Sequence, residues 1–130
     1  MTEHQIQASF IKWWRLQHSR KSMLLFAVPN GAFLQGNQAS RGRQWAKLKA
    51  EGCVSGVADL FLSIPSSGYH GLYIETKTPK GKQSKVQKMF QKEVEARGYK
   101  YVICRELTDF IKLINDYIYD NSTVKPKQQH

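Results

Sequence analysis

At 130 residues the chain has the length of one domain, and its 41% apolar content is enough to fill a single core. Twenty lysines and arginines against ten aspartates and glutamates give a formal charge of +10, which favours a polyanionic partner such as nucleic acid without choosing DNA over RNA. No apolar run is long enough for a membrane span and the start lacks the apolar stretch of a secretory signal, so a cytoplasmic protein is expected.

From Glu3 to about Arg20, Ile6, Phe10, Trp13 or Trp14 and Leu16 recur at helical spacing, with Thr2 as a cap and Glu3 in the first turn. The spacing predicts an amphipathic helix. Glu3 and Gln7 lie four apart and share a face beside the apolar stripe, where an ordinary solvated edge accounts for them as well as a functional role does. Met23 to Val28 is an apolar run bounded by Pro29-Asn30-Gly31, read as a buried strand and a turn. Phe33 to Ala39, with Gly36 and Asn37, reads as a loop. Ser40 to Glu51 then predicts a second helix, with Trp45 and Leu48 inward and Gly52 as its stop. Arg41, Arg43, Lys47 and Lys49 spread around its polar side, either as a solvated face or as a track for phosphates.

The most informative stretch runs from Cys53 to Lys77. It contains Gly56-Val57-Ala58-Asp59, the run Leu60 to Ile64, a turn at Pro65-Ser66-Ser67-Gly68, and the run Leu72-Tyr73-Ile74 ending in Glu75-Thr76-Lys77. Two β-type runs around a Ser/Gly turn predict an antiparallel hairpin. With Ser66 to Gly68 as the loop, Pro65 faces Tyr69, and counting outward sets Asp59 opposite Glu75. Strand alternation then puts Asp59, Glu75 and Lys77 on one face, expected to turn towards solvent and substrate. Facing carboxylates repel unless a divalent cation lies between them or one keeps a proton. A magnesium-type ion fits, since hard cations take one or two carboxylates together with water and phosphate. Lys77 could orient a water or neutralise charge on a phosphate. Glu-x-Lys alone is common on solvated strands, Asp59 could be a turn residue, and a one-residue slip would send it to the other face.

Beyond Lys77, Thr78 to Lys82 is a basic turn carrying Lys80 and Lys82. Ser84 and Gln87 have capping-box spacing, and Val86, Met89, Phe90 and Val94 mark a helical stripe that ends before Gly98. Tyr99 to Cys104 predicts a strand, and Leu107, Phe110, Ile111, Ile114 and Ile118 a last helix. Asp120 to His130 is polar and aperiodic and is expected to be a disordered tail. Cys53 and Cys104, with His4, His18, His70 and His130, show no zinc-type spacing. The resulting order, helix-strand-helix-strand-strand-helix-strand-helix, predicts a single-domain α/β fold: a mixed sheet with helices on its faces.

On these residues the chain resembles the VRR-NUC family of the PD-(D/E)XK nuclease superfamily, a small family common in phages and prophages. The resemblance covers most of residues 3 to 104 and rests on Glu3 and Gln7, Pro29-Asn30-Gly31, Gly52 with Gly56-Val57-Ala58-Asp59, Glu75-Thr76-Lys77, and Gln87. It implies a restriction-endonuclease-like αβα core over residues 1–119, with Asp59 and Glu75 holding Mg2+ or Mn2+, Lys77 serving the attacking water, and Glu3 and Gln87 completing the site. The family has proline before the aspartate and this chain has Ala58; that proline supports the backbone and carries no reactive group. The implied activity is a metal-dependent endodeoxyribonuclease, acting on branched DNA as a Holliday-junction resolvase does and working as a homodimer in the cytoplasm of a bacterial host. Arg41, Arg43, Lys47, Lys49, Lys80 and Lys82 would bind the DNA backbone. A non-catalytic nucleic-acid-binding module, indifferent to Glu75 and to magnesium, stays open as the alternative, as does a nuclease without structure specificity.

Overall fold

The computed structural model describes residues 1–29 and 34–123, with side chains to residue 118. Helix α1 (Glu3–Gln17) starts where Thr2 Oγ1 accepts from Gln5 N and Gln5 Oε1 accepts from Thr2 N, a reciprocal cap that satisfies two otherwise orphaned donors. Ile6, Phe10 and Trp14 recur every fourth residue and are buried. Leu16 falls outside that stripe and is 70% exposed, contrary to its predicted inward position. The α-helix also stops short of Arg20, because His18 leaves helical geometry and a 3-10 turn (Ser19–Leu24) follows. Trp14 holds this corner, its indole N–H donating to Lys21 O at 3.2 Å while its ring stacks on His18 at 4.4 Å.

Strands β1 (Leu25–Ala27), β2 (Leu60–Leu62), β3 (Leu72–Thr76) and β4 (Lys100–Cys104) form one sheet in the order β1-β2-β3-β4. The first three are antiparallel neighbours, and β3 and β4 run parallel. A parallel pair needs a crossover, and α3 (Lys85–Glu95) supplies it. The run Met23 to Val28 is not a buried strand as predicted. Only Leu25–Ala27 pairs, at the sheet edge, and of these residues Leu25 alone is buried. Asn30 and Gly31 lie outside the described residues.

Leu62, Leu72, Ile74 and Cys104 point to one face, where Phe10 and Trp14 of α1 and Phe110 and Ile114 of α4 (Leu107–Thr123) close over them. The rings of Phe10 and Phe110 stack at 4.7 Å and 2°. Helix α3 covers the other face, Phe90 meeting Tyr73 edge-on at 5.1 Å. Phe90 and Val94 are half-buried, but Val86 and Met89 are exposed, so its inward stripe is narrower than the periodicity implies. Helix α4 continues through Asp120 to Thr123, into the segment expected to be disordered; residues 124–130 lie outside the described residues.

Helix α2 (Gln38–Ala50) begins two residues before the predicted Ser40, because Asn37 caps it by accepting from Ser40 N at 2.9 Å. None of its residues is buried; Trp45 and Leu48, predicted inward, are half-buried. The hairpin ladder has the predicted register, pairing Leu60 with Ile74 and Leu62 with Leu72. Its tip is one residue tighter, since Ser66 rather than Pro65 bridges to Tyr69. Ser67 and Gly68 then form a two-residue turn with positive φ of 54° and 85°, the geometry that matches strand twist. Ser66 Oγ and Ser67 Oγ both donate to Tyr117 O, and Tyr117 donates its hydroxyl to Ile64 O at 2.7 Å, so α4 ties down the tip. No described helix is long and apolar enough to cross a membrane.

Phe110 is fully buried at the α1–α4 contact. Phe110→Ala is therefore expected to lower the unfolding free energy by about 3–5 kcal/mol, read as a reduced urea midpoint with little change in slope.

Candidate active site

Two strands and a helix deliver side chains to the α3 side of the sheet. Asp59 immediately precedes β2, and the Leu60–Ile74 pairing sets it across from Glu75. Its backbone continues the sheet, its carbonyl accepting from Val28 N at 2.8 Å, and its Oδ2 accepts from Thr76 N at 2.8 Å. The carboxylate is thereby held over the end of β3. Gly56 shapes the approach: its φ is +85°, and a Cβ there would come within 2.6 Å of Val86 O. Only glycine lets this loop lie against the first turn of α3.

Glu75 is 1% exposed. Its Oε2 accepts from Gln87 Nε2 at 3.1 Å and lies 3.8 Å from Lys77 Nζ, while among the described residues no donor reaches Oε1. The expectation of a face turned to solvent is thus corrected, since Lys77 too is 8% exposed and both side chains sit inside the fold. Burial is the main force that pushes the Glu75 carboxyl up to about 9; the Asp59 charge and the proton the pair can share push the same way, Lys77 opposes them, and Glu3 adds a smaller repulsion.

Gln87 serves two partners through one amide. Its Oε1 accepts from Ser84 N at 2.8 Å while its backbone N donates to Ser84 Oγ at 3.2 Å, the reciprocal cap its spacing predicts. With the oxygen committed to the cap, the NH2 group points to Glu75. Capping and site roles are one arrangement.

The structure therefore gathers Asp59, Glu75, Lys77 and Gln87, with Glu3 close enough to act through its charge from an exposed first turn. Lys80 and Lys82 follow Lys77 on the next turn, and Lys80 is exposed, as is Lys82. Arg41, Arg43, Lys47 and Lys49 are exposed on α2, Lys49 resting over the Trp45 ring at 5.9 Å. Among the described residues none of these six enters the group around Glu75. The pattern missed Arg105, whose Nη1 donates to Thr78 O at 2.8 Å, Gly81 O at 2.6 Å and Pro79 O at 3.4 Å. It pins the turn that leaves Lys77. A lone arginine after a strand has no spacing signal to reveal this.

Could the group hold a cation? Among the described residues no cluster of three or more His, Cys, Asp or Glu side chains surrounds one point. Two carboxylates remain, one with a buried oxygen lacking a donor. That all-oxygen set suits a hard ion completed by water and phosphate, and leaves either a cation or a proton to relieve the repulsion.

A mixed four-stranded sheet between helices, with a carboxylate pair of which Glu75 is buried, and a lysine and a glutamine beside it, makes this a small α/β domain. The family model for the VRR-NUC domain matches residues 1–106, and the chain belongs to that family. It is a nuclease domain in the general sense the family carries. A solved structure described as a VRR_NUC domain protein has the same fold, with a TM-score of 0.76 at 24% identity over 92% of this chain and 89% of that one. No curated protein gives a significant match.

A carboxyl raised from an ordinary 4.5 to about 9 gives a defined pH dependence. Below 4.5 Glu75 is protonated in both folded and unfolded chains; as pH rises the unfolded chain releases that proton and the folded one keeps it, so stability falls until pH passes about 9. In excess chelator, wild-type stability is expected to decline across this window. Glu75→Gln is expected to flatten the decline and to gain about 1–3 kcal/mol at pH 8. Parallel urea curves for the two proteins would show that no such burial cost exists.

Proposed function

We propose that this protein is a metal-dependent endodeoxyribonuclease of the PD-(D/E)XK type. The observation that carries the reading is the buried Glu75 carboxylate, facing Asp59 and lacking a donor at Oε1 while Gln87 and Lys77 hold Oε2. Asp59 and Glu75 would hold Mg2+ or Mn2+, which supplies charge to the phosphoryl oxygens and lowers the pKa of a water. In hydrolysis the water oxygen bonds to phosphorus while one of its protons passes to solvent, and the bond to the leaving oxygen breaks as that oxygen takes up a proton from solvent. Lys77 brings an ammonium to the oxygens on which charge develops, and Gln87 fixes the Glu75 rotamer. Glu3 adds negative charge at the rim.

The substrate we propose is branched DNA of the four-way-junction kind, cut by a homodimer; the protein would be of phage or prophage origin and work in the host cytoplasm. One site cuts one strand, so paired incisions at a two-fold junction suit a two-fold protein. The backbone of that DNA would lie along Arg41, Arg43, Lys47, Lys49, Lys80 and Lys82. The deciding experiment is a cleavage panel of junction, flap, linear duplex and RNA with magnesium, alongside light scattering. A monomer that treats all DNA alike would remove the resolvase reading and keep the nuclease.

Glu75→Gln and Lys77→Met keep side-chain volume at buried positions, so each is expected to fold and bind DNA while losing at least about 100-fold in cleavage rate. Activity is expected to need magnesium or manganese and to fall when calcium, larger and looser in coordination, replaces them; full turnover in excess chelator would refute this. Reversing Arg41, Arg43, Lys47 and Lys49 is expected to weaken binding to all sequences alike and to flatten its salt dependence by about one logarithmic unit for each phosphate no longer neutralised. An unchanged salt slope would take α2 out of the interface.

A further inference from the structure

The face that carries Glu75 has a second feature. Phe26 of β1 faces Phe61 of β2, Phe61 faces Tyr73 of β3, and Tyr73 faces Tyr101 of β4, so each strand places one aromatic in a single row across the sheet. Phe26 and Phe61 lie 5.9 Å apart, and Phe61 and Tyr73 4.6 Å. Tyr99 flanks them, 5.6 Å from Tyr73 and 6.2 Å from Phe61. Helix α3 closes over the β3–β4 end, where Tyr101 is buried and Phe90 meets the edge of the row at Tyr73. Towards β1 the row opens: Tyr73, Tyr99 and Phe61 are half-buried, and Phe26 is 45% exposed. The backbone makes room for it, since a Cβ at Gly71 would come within 2.7 Å of the Phe61 ring.

Core packing explains the closed end of this row and leaves the open end unexplained. Phe61 and Tyr73 stand two residues along their strands from Asp59 and Glu75, a separation of about 7 Å on the same face. A strand running along this face from the carboxylates would reach the rings next. A second copy of the chain carries the same net charge of +10, whereas a nucleic-acid strand brings the opposite sign together with π-faces. We propose that Phe26, Phe61, Tyr73 and Tyr99 form a shelf on which unpaired bases of the substrate strand stack beside the phosphate to be cut. The inference rests on the nuclease reading and narrows it. In a continuous duplex the base faces are already covered by their neighbours, so the shelf selects DNA that is single-stranded or locally opened next to the cut.

The test uses the full-length protein in excess chelator, with a short single-stranded oligodeoxynucleotide carrying 2-aminopurine and a matched strand with abasic sites at the same positions. Binding is expected to quench the 2-aminopurine, and the abasic strand to bind about tenfold more weakly. Phe26→Ala and Phe61→Leu should lose both effects while keeping the wild-type salt slope and circular dichroism; Phe26 is exposed enough that its variant will fold. Equal affinity for the two strands overturns the proposal. So does a change from dimeric to monomeric mass in these variants, which would make the row an interface between copies. A wild type that stacks bases but cuts nothing with magnesium removes the nuclease reading alone; one that cuts but ignores the bases removes the shelf alone.

Discussion

A carboxyl group with almost no access to water and one oxygen without a donor is an unusual thing for a 130-residue domain to keep. Burying an unpaired charge costs several kcal/mol, and a small domain has only about 5–15 kcal/mol of net stability to set against it. Much around Glu75 reduces that cost. Gln87 donates to one oxygen, Lys77 lends a partly compensating charge, and the Thr76 amide holds Asp59 in place. What these do not satisfy is Oε1, and the local repulsion is left for a cation or proton to cancel. The cost of burying that oxygen without a donor would be repaid if a cation bound there.

Strand β3 makes this possible because both its faces are covered. Leu72 and Ile74 go down into the core with α1 and α4, while Tyr73 and Glu75 go up beneath α3. Alternation along five residues thus separates the core from the candidate site at single-residue resolution. Arg105 belongs to the same logic. Three carbonyl oxygens of one turn converge on its Nη1, so the chain leaving Lys77 is fixed before it reaches α3.

The ladder and the face shared by Asp59, Glu75 and Lys77 were legible because strand periodicity of two has little freedom once a hairpin is placed; a loop shorter by one residue at Ser67-Gly68 did not move them, the slip being absorbed between tip and ladder. Capping residues Thr2 and Ser84 were legible for a similar reason, as local spacing with a local physical cause. Burial was harder to read. Met23, Leu16 and Met89 look like core residues and are exposed, because apolarity at a position says nothing of whether another element arrives to cover it. Glu75 and Lys77 look like surface residues and are buried under α3, a tertiary fact with no local signal. The aromatic row was hidden for a further reason: Phe26, Phe61, Tyr73 and Tyr101 are distributed over 76 positions of sequence and meet only through pairing.

The double use of the Gln87 amide also bears on when the site can exist. Asp59, Glu75 and Gln87 come from two strands and a helix, and the hydrogen bond to Glu75 is oriented by the same cap that starts α3. During synthesis, the hairpin emerges with its two carboxylates before that helix has been made. Until the crossover docks, nothing fixes the Glu75 rotamer or shields it from water. The group around Glu75 is thus completed late, only once α3 has formed and docked.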